Sequence, residues 1–231
     1  MKNIIIFTII TIGALIICSC EIDNYQAPNL TLKGVVVDVI TGEPIQTRQP
    51  DGIRVRLLQD GYENPTPLDF WVKPDGTFQN TRLFAGTYEV SVIDGPFEES
   101  SVAPVIVDLN ANKTIQFEVA PFARISDVTI SGSGGTITAK YRISGTSGTR
   151  DILKSVLFCH TGNIVHEQTR GLISSSANDL STLTENEISS TIFTDEISDL
   201  ETGKTYYVRV GVLSDNPLNR YNYSSIVKID L

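Results

Sequence analysis

The sequence predicts an all-β chain, two β-sandwiches in tandem behind a short leader. Three observations carry this. Apolar residues repeat with a period of two through most of the chain. Turn signals built on Gly, Pro, Asn and Asp recur between these runs at the spacing of a sandwich. The length of 231 residues is large for one sandwich and comfortable for two domains of about 100 residues each.

The leader comes first. Lys2 gives a basic start, and Ile4 through Ile17 form an apolar run interrupted only by Thr8, Thr11 and Gly13. The small Ser19 then stands directly before Cys20. A basic, then apolar, then small-residue order is that of a secretory signal peptide. The run is shorter than the roughly 20 residues a spanning helix needs. Ile17-Cys18-Ser19-Cys20 resembles the lipobox of bacterial lipoproteins. Cys18 follows the bulky Ile17, whereas Cys20 follows Ser19, so Cys20 is the expected lipidation site. The resemblance implies that residues 1–19 are removed and that Cys20 anchors the chain to outer-membrane lipid. Residues 20–29 then read as a polar tether. Its acidic Glu21 and Asp23 resemble the signal that carries Bacteroidetes lipoproteins to the cell surface, so the surface and the periplasmic face both stay open.

Charge and cysteine content narrow the function classes. Eighteen basic and 27 acidic residues give a net charge of −9. Such a surface repels polyanions, so nucleic acid is not an expected partner. With Cys18 and Cys20 in the leader and the anchor, only Cys159 remains, and no intramolecular disulfide can form. The cores alone must hold the fold. No cofactor is expected.

Residues 30–120 read as about seven strands. Leu32, Val35, Val37 and Val39 end at Thr41-Gly42-Glu43-Pro44. Ile53, Val55 and Leu57 alternate with Arg54 and Arg56. Phe70-Trp71-Val72 runs into the turn Pro74-Asp75-Gly76, where Pro presets φ and Gly accepts a positive one. Thr87 to Val92, Val105 to Val107 and Ile115 to Val119 follow. Gly34 to Asp38, Thr41 to Ile45, Asp75 to Phe78 and Leu83 with Ala85-Gly86-Thr87-Tyr88 together resemble the carboxypeptidase regulatory-like domain, a transthyretin-like Greek key. The segment Gln46 to Asp51 is an insertion against that pattern. In such families the domain is an accessory module, so no catalytic residues are carried over.

Residues 121–231 turn to Ser, Thr and Gly. Ile125 to Ile130 and Ile137 to Ile143 read as strands around Ser131-Gly132-Ser133-Gly134-Gly135. Ile152 to Phe158, then Ile164-Val165 after a Gly162-Asn163 turn, then Ile188 to Ile192 come next. Tyr206 to Val212 and Ser225 to Ile229 close the domain. Leu200-Glu201-Thr202-Gly203-Lys204-Thr205-Tyr206 resembles the E–F corner of fibronectin type III domains. The resemblance implies that the Tyr206 hydroxyl bonds backbone upstream. The tryptophan expected on the second strand is missing, with Tyr141 or Ile143 in its place. The two sandwiches, meeting near Pro121, are expected to be separable. The whole layout resembles a Bacteroidetes lipoprotein family of unknown function, of the DUF3823 type. That resemblance implies an outer-membrane setting, a glycan context and a transporter or binding-lipoprotein partner.

Several residues invite chemistry. Cys159 and His160 are adjacent in a strand and point to opposite faces. A two-residue turn at Gly162-Asn163 would set Cys159 opposite His166, but no third residue orients such a pair. Glu98-Glu99 and Asp195-Glu196 read as solvated loops. Asp127, Asp179 and Asp215 lack the spaced ligand series of a calcium loop. The candidate binding residues are Arg220, Tyr221 and Tyr223 in the loop from Asp215, and Tyr62 in the loop from Asp60. Aromatic faces with nearby donors suit a sugar or a protein contact. The sequence therefore reads as a non-catalytic binding or spacer module. A structural or adhesion protein is the alternative, and a glycan hydrolase the weaker one.

Overall fold

The computed structural model of the chain describes residues 27–145 and 150–231. The leader, Cys20 and most of the tether lie outside the described residues. Among the described residues no helix is long and apolar enough to cross a membrane.

The first sandwich has seven strands: β1 (Leu30–Asp38), β2 (Arg54–Gln59), β3 (Leu68–Trp71), β4 (Thr77–Leu83), β5 (Gly86–Ile93), β6 (Val105–Leu109) and β7 (Lys113–Val119). One sheet runs β4-β1-β7, and the other β3-β2-β5-β6. β1 pairs with β7 in parallel, so the two ends of the segment lie side by side. The alternation read in sequence holds here. Val55, Leu57, Val90 and Val92 face Val36, Phe78 and Phe117 in one apolar core. Arg54 and Arg56 point outward to Asp69.

The second sandwich has β8 (Ala123–Ser133), β9 (Thr136–Gly145), β10 (Ile152–His160), β11 (Ile173–Ser174), β12 (Asn178–Asp179), the short helix α1 (Glu185–Ser190), β13 (Phe193–Ile197), β14 (Thr205–Ser214), β15 (Tyr221–Tyr223) and β16 (Val227–Asp230). β13-β9-β8 form one sheet. β11-β10-β14-β15 form the other, with β12 and β16 added at its ends. The corner tyrosine is where the resemblance puts it. Tyr206 donates its hydroxyl to the Glu201 carbonyl at 3.3 Å and accepts the Glu201 N–H at 3.1 Å. The first sandwich carries a similar bond, from the Tyr88 hydroxyl to the Phe84 carbonyl at 3.0 Å. Tyr141 fills the core position left by the missing tryptophan, stacked on Phe193 at 5.7 Å.

Two sequence readings are corrected. Residues 188–190 are helical, because Thr184 and Glu187 form a capping box that starts a helix in the preceding residues. The strand lies later, at β13, and it buries Asp195. That carboxylate accepts from the Tyr141 hydroxyl at 2.8 Å and the Asn178 amide at 2.7 Å, so it is a core group and not a solvated loop. The second correction concerns Gly162-Asn163. These residues do not make a two-residue hairpin; the chain loops on to residue 172 and returns at β11, with Cys159 paired to Ile173.

Candidate functional site

Three of the four candidate binding residues sit where the two sandwiches meet. β14 explains why. Its inner face packs Tyr206, Val208, Val210 and Val212 into the core between the sheets. Its outer face carries Tyr207, Arg209, Gly211 and Leu213, and most of these are also covered. Beside them on the neighbouring strands lie Val156, Phe158, Tyr221 and Tyr223, a separate apolar cluster on the outside of the sheet. Tyr221 and Tyr223 are 8% and 7% exposed. They stack on each other at 5.9 Å, and Tyr221 meets Phe158 edge-on at 5.7 Å. Gly211 makes room for this: a Cβ there would lie 2.5 Å from the Phe158 ring.

The first sandwich covers that cluster with residues 45–53, which contain the Gln46 to Asp51 insertion noted in sequence. Gln46 bridges to Tyr223 through its backbone. The Thr47 carbonyl accepts from the Arg209 guanidinium at 3.0 Å. Arg48 pairs with Glu167. The loop can close this tightly because residue 52 is glycine, whose Cβ would stand 2.1 Å from the Arg48 carbonyl oxygen.

Arg209 is the centre of the seam. It is 1% exposed, and its guanidinium lies 3.6 Å from the centre of the Tyr223 ring. Desolvation brings it down to about 10, so it remains a cation at neutral pH. A desolvated cation over an aromatic face is worth about 2 kcal/mol. Glu167 answers the charge: it takes Arg48 on one oxygen and the Tyr223 hydroxyl on the other. Burial, then that carboxylate, push the Tyr223 phenol well above its ordinary value. Burial holds the neighbouring His166 below the ordinary histidine range.

Further bonds lock the seam at its edges. The Asn222 side chain accepts the Ala123 N–H at 3.0 Å and donates to the Pro96 carbonyl at 3.2 Å. Arg220 donates to the Asp94 carbonyl at 3.1 Å, and desolvation lowers it also. Asn216 holds the loop before β15 closed by bonding Ser214 and both backbone groups of Arg220. Arg124 and Asp38 form a bidentate pair across the junction, with one bond of 2.8 Å.

Arg220, Tyr221 and Tyr223 are therefore joined by the structure, but as elements of the seam and not as an open loop surface. Tyr62 is the exception, 65% exposed and in the first sandwich. Cys159 is buried in the inner core, where desolvation pushes its thiol up to about 11. His166 lies instead in the seam beside Glu167, so the two do not meet. Glu98 pairs with Arg150, and Glu99 caps the Asp94 N–H. Asp127 pairs with Arg142, and Asp179 caps its own turn through Ser181. Among the described residues no three His, Cys, Asp or Glu side chains converge to hold a metal.

Two grooves flank the seam. One, of about 330 Å³, runs past Glu43, Gln46, Arg124 and Asn222. The other, of about 490 Å³, is lined by Lys73, Asp75, Asn163, Tyr207 and Lys228 among others. Reasoning from sequence missed the seam, although a signal was present. Residues Val156 to Cys159 of β10 and Val210 to Leu213 of β14 are apolar on both faces, a pattern expected of strands covered on both sides.

No curated protein matches this chain. Three solved structures share the fold across nearly its whole described length. One is a candidate carbohydrate binding protein from Bacteroides uniformis, 23% identical, with a TM-score of 0.74 over 88% of this chain and 100% of that one. A DUF3823 family protein from Bacteroides ovatus is 24% identical, with a TM-score of 0.72 over 87% and 99%. Another, from Parabacteroides merdae, is 25% identical, with a TM-score of 0.66 over 89% and 100%. The family model for the DUF3823 N-terminal domain, a protein of unknown function, matches residues 30–120, and that for the DUF3823 C-terminal domain, also of unknown function, matches residues 123–228. With both halves matched in order, the chain belongs to the DUF3823 family.

Proposed function

We propose that this chain is a non-catalytic accessory module, lipid-anchored through Cys20 at the outer membrane. Its two sandwiches would act as one rigid arm that presents a binding surface to a glycan within an uptake assembly. The observation that supports this reading is the seam. A buried arginine, two stacked tyrosines and a loop inserted into the first sandwich are used to fix the angle between the domains. A flexible tether would need none of these. Rigid placement matters for a module that must hold a ligand at a set distance from its anchor, since a fixed geometry removes the ordering cost of each encounter. The carbohydrate description of the Bacteroides uniformis relative agrees with the glycan part of the reading.

The test is made on the full-length protein in its membrane. Fatty-acid labelling, outer-membrane fractionation and cross-linking should give a labelled, outer-membrane protein that co-purifies with a transporter or a second binding lipoprotein. The purified chain should release no reducing ends from polysaccharides. Release of reducing ends would overturn the non-catalytic reading. Absence of label, or its loss in Cys18→Ala but not in Cys20→Ala, would overturn the anchor.

A further inference from the structure

We infer that the end of the first sandwich where β1 begins rests on the membrane, with Tyr62 and Phe84 seated among the lipid headgroups. The inference rests on the Cys20 anchor in the reading above and adds the protein surface that meets the lipid. The strand registers define this end. Leu30 at the start of β1 pairs with Leu83 at the end of β4, and Gly86 at the start of β5 pairs with Leu109 at the end of β6. β2 ends nearby, with Gln59 opposite Tyr88. The tether and the connections β2–β3, β4–β5 and β6–β7 therefore leave the sandwich at one end. The other end is capped by the second sandwich, where the carbonyls of Thr47, Asp94 and Pro96 take the seam bonds already described.

The uncapped end carries exposed aromatic side chains. Tyr62, in the β2–β3 connection, is 65% exposed, and Phe84, in the β4–β5 connection, is 49% exposed. They flank one buried phenol. The Tyr88 hydroxyl donates to the Phe84 carbonyl at 3.0 Å. Burial, then the nearby Tyr62, push that phenol above its ordinary value. Backbone bonds hold the tip in shape. Asp60 N–H donates to the Thr87 carbonyl at 2.9 Å and fixes the base of the Tyr62 loop. Thr31 N–H donates to the Asn112 side chain at 2.9 Å and ties the start of β1 to the β6–β7 connection. Rings held at a tip, with an apolar body and, for tyrosine, a polar end, match the headgroup layer. Leu30 lies ten residues after Cys20, a reach of at most about 35 Å. A contact at this end therefore adds to an attachment already made and costs little further freedom. Asp60, Glu63 and Asp108 stand near the same end as Arg82 and Lys113, so among the described residues no basic patch draws it to anionic lipid. The contact is apolar. It leaves the seam and the second sandwich standing away from the bilayer, where a ligand can reach them.

The test uses the mature chain, residues 20–231, coupled through Cys20 to a thiol-reactive phospholipid in phosphatidylcholine vesicles whose acyl chains are brominated near the headgroup. Cys159 is buried and does not compete for the coupling. Trp71 is the one native tryptophan. It lies level with Ile93 on β5, about 24 Å beyond Gly86, and serves as the internal control. The native chain should lose little fluorescence to the bromines. Phe84→Trp should add a strongly quenched component with an unchanged melting temperature, and Tyr62→Trp should do the same as a second reporter. Tyr62→Ser in the Phe84→Trp background should reduce the quenching, and high salt should leave it unchanged. Quenching of both reporters no stronger than that of Trp71, or quenching seen only when anionic phosphatidylglycerol is added, would overturn the contact. Cross-linking from residue 84 in cells to a protein in place of lipid would also reject the lipid assignment. The anchor is read separately by fatty-acid labelling of the full-length protein. Label without quenching would overturn this surface and keep the anchor, whereas quenching without label would support the surface and overturn the anchor.

Discussion

Arg56 and Arg209 occupy matching places in the two sandwiches. Each is an arginine between two core residues, in Val55-Arg56-Leu57 and in Val208-Arg209-Val210. Each points away from the core of its own sandwich. Arg56 reaches solvent and holds Asp69 through two bonds of 2.9 and 2.8 Å, and that carboxylate raises it. Arg209 points into the other domain, has no carboxylate hydrogen-bonded to it among the described residues, and is lowered by desolvation. The same local pattern therefore makes a surface in one sandwich and a second buried layer in the other. The outer face of the large sheet in the second sandwich is an interface, and its residues should respond to mutation as core residues do.

The sharpest contrast comes from truncating the two arginines. Arg209→Ala should cost about 3 kcal/mol, through the lost ring contact and the unpaired Thr47 carbonyl. Arg56→Ala should cost less than about 1 kcal/mol, because exposed pairs contribute little. Arg209→Met keeps apolar volume and removes the desolvated charge, so it should recover part of the loss. Urea titrations that gave equal costs for Arg56→Ala and Arg209→Ala would break the comparison.

Gly211 tests the same face by overpacking. Gly211→Ala places a methyl against Phe158 and should destabilise by about 1–3 kcal/mol. A neutral result would mean that the outer cluster is loosely packed. The corner tyrosines test what the two sandwiches share. Tyr206→Phe and Tyr88→Phe should each lose about 1 kcal/mol, since both hydroxyls bond backbone carbonyls. Tyr207→Phe, one residue away and on the opposite face, should be near neutral. A reversal between Tyr206 and Tyr207 would contradict the register of β14.

The smallest effect is one of pH. His166 sits in the seam with its pKa depressed by burial. The unfolded chain then takes up a proton first as the pH falls, so stability is full above about 6.5 and declines below it. Melting temperatures measured from pH 7.5 to 5.5 should fall for the native chain and fall less for His166→Gln. An identical slope in the two proteins would remove His166 from the account.

Much of the fold was legible because its signals are local. Alternation, the Pro74-Asp75-Gly76 turn and the Leu200 to Tyr206 corner each depend on residues close in sequence. Thr184 and Glu187 carried an equally local helix signal, outweighed by the apolar residues Ile188 and Ile192. The seam was harder to read. Its central bond joins Arg209 to Thr47, 162 residues apart, and no local pattern marks such a partner. Tyr221 and Tyr223 stand in a polar, turn-rich stretch of the kind that forms exposed loops. Only the joint observation that Val156 to Cys159 of β10 and Val210 to Leu213 of β14 are apolar on both faces, and that the first sandwich carries an insertion at Gln46 to Asp51, points to a covered surface.

Differential scanning calorimetry of the chain from residue 27 tests the central claim, that the seam bonds make the two sandwiches one cooperative body and not the separable pair expected from the sequence. The account predicts a single transition whose calorimetric and van't Hoff enthalpies agree, and its separation into two transitions in Arg209→Ala. Two independent transitions in the native protein, unchanged by Arg209→Ala, would contradict it.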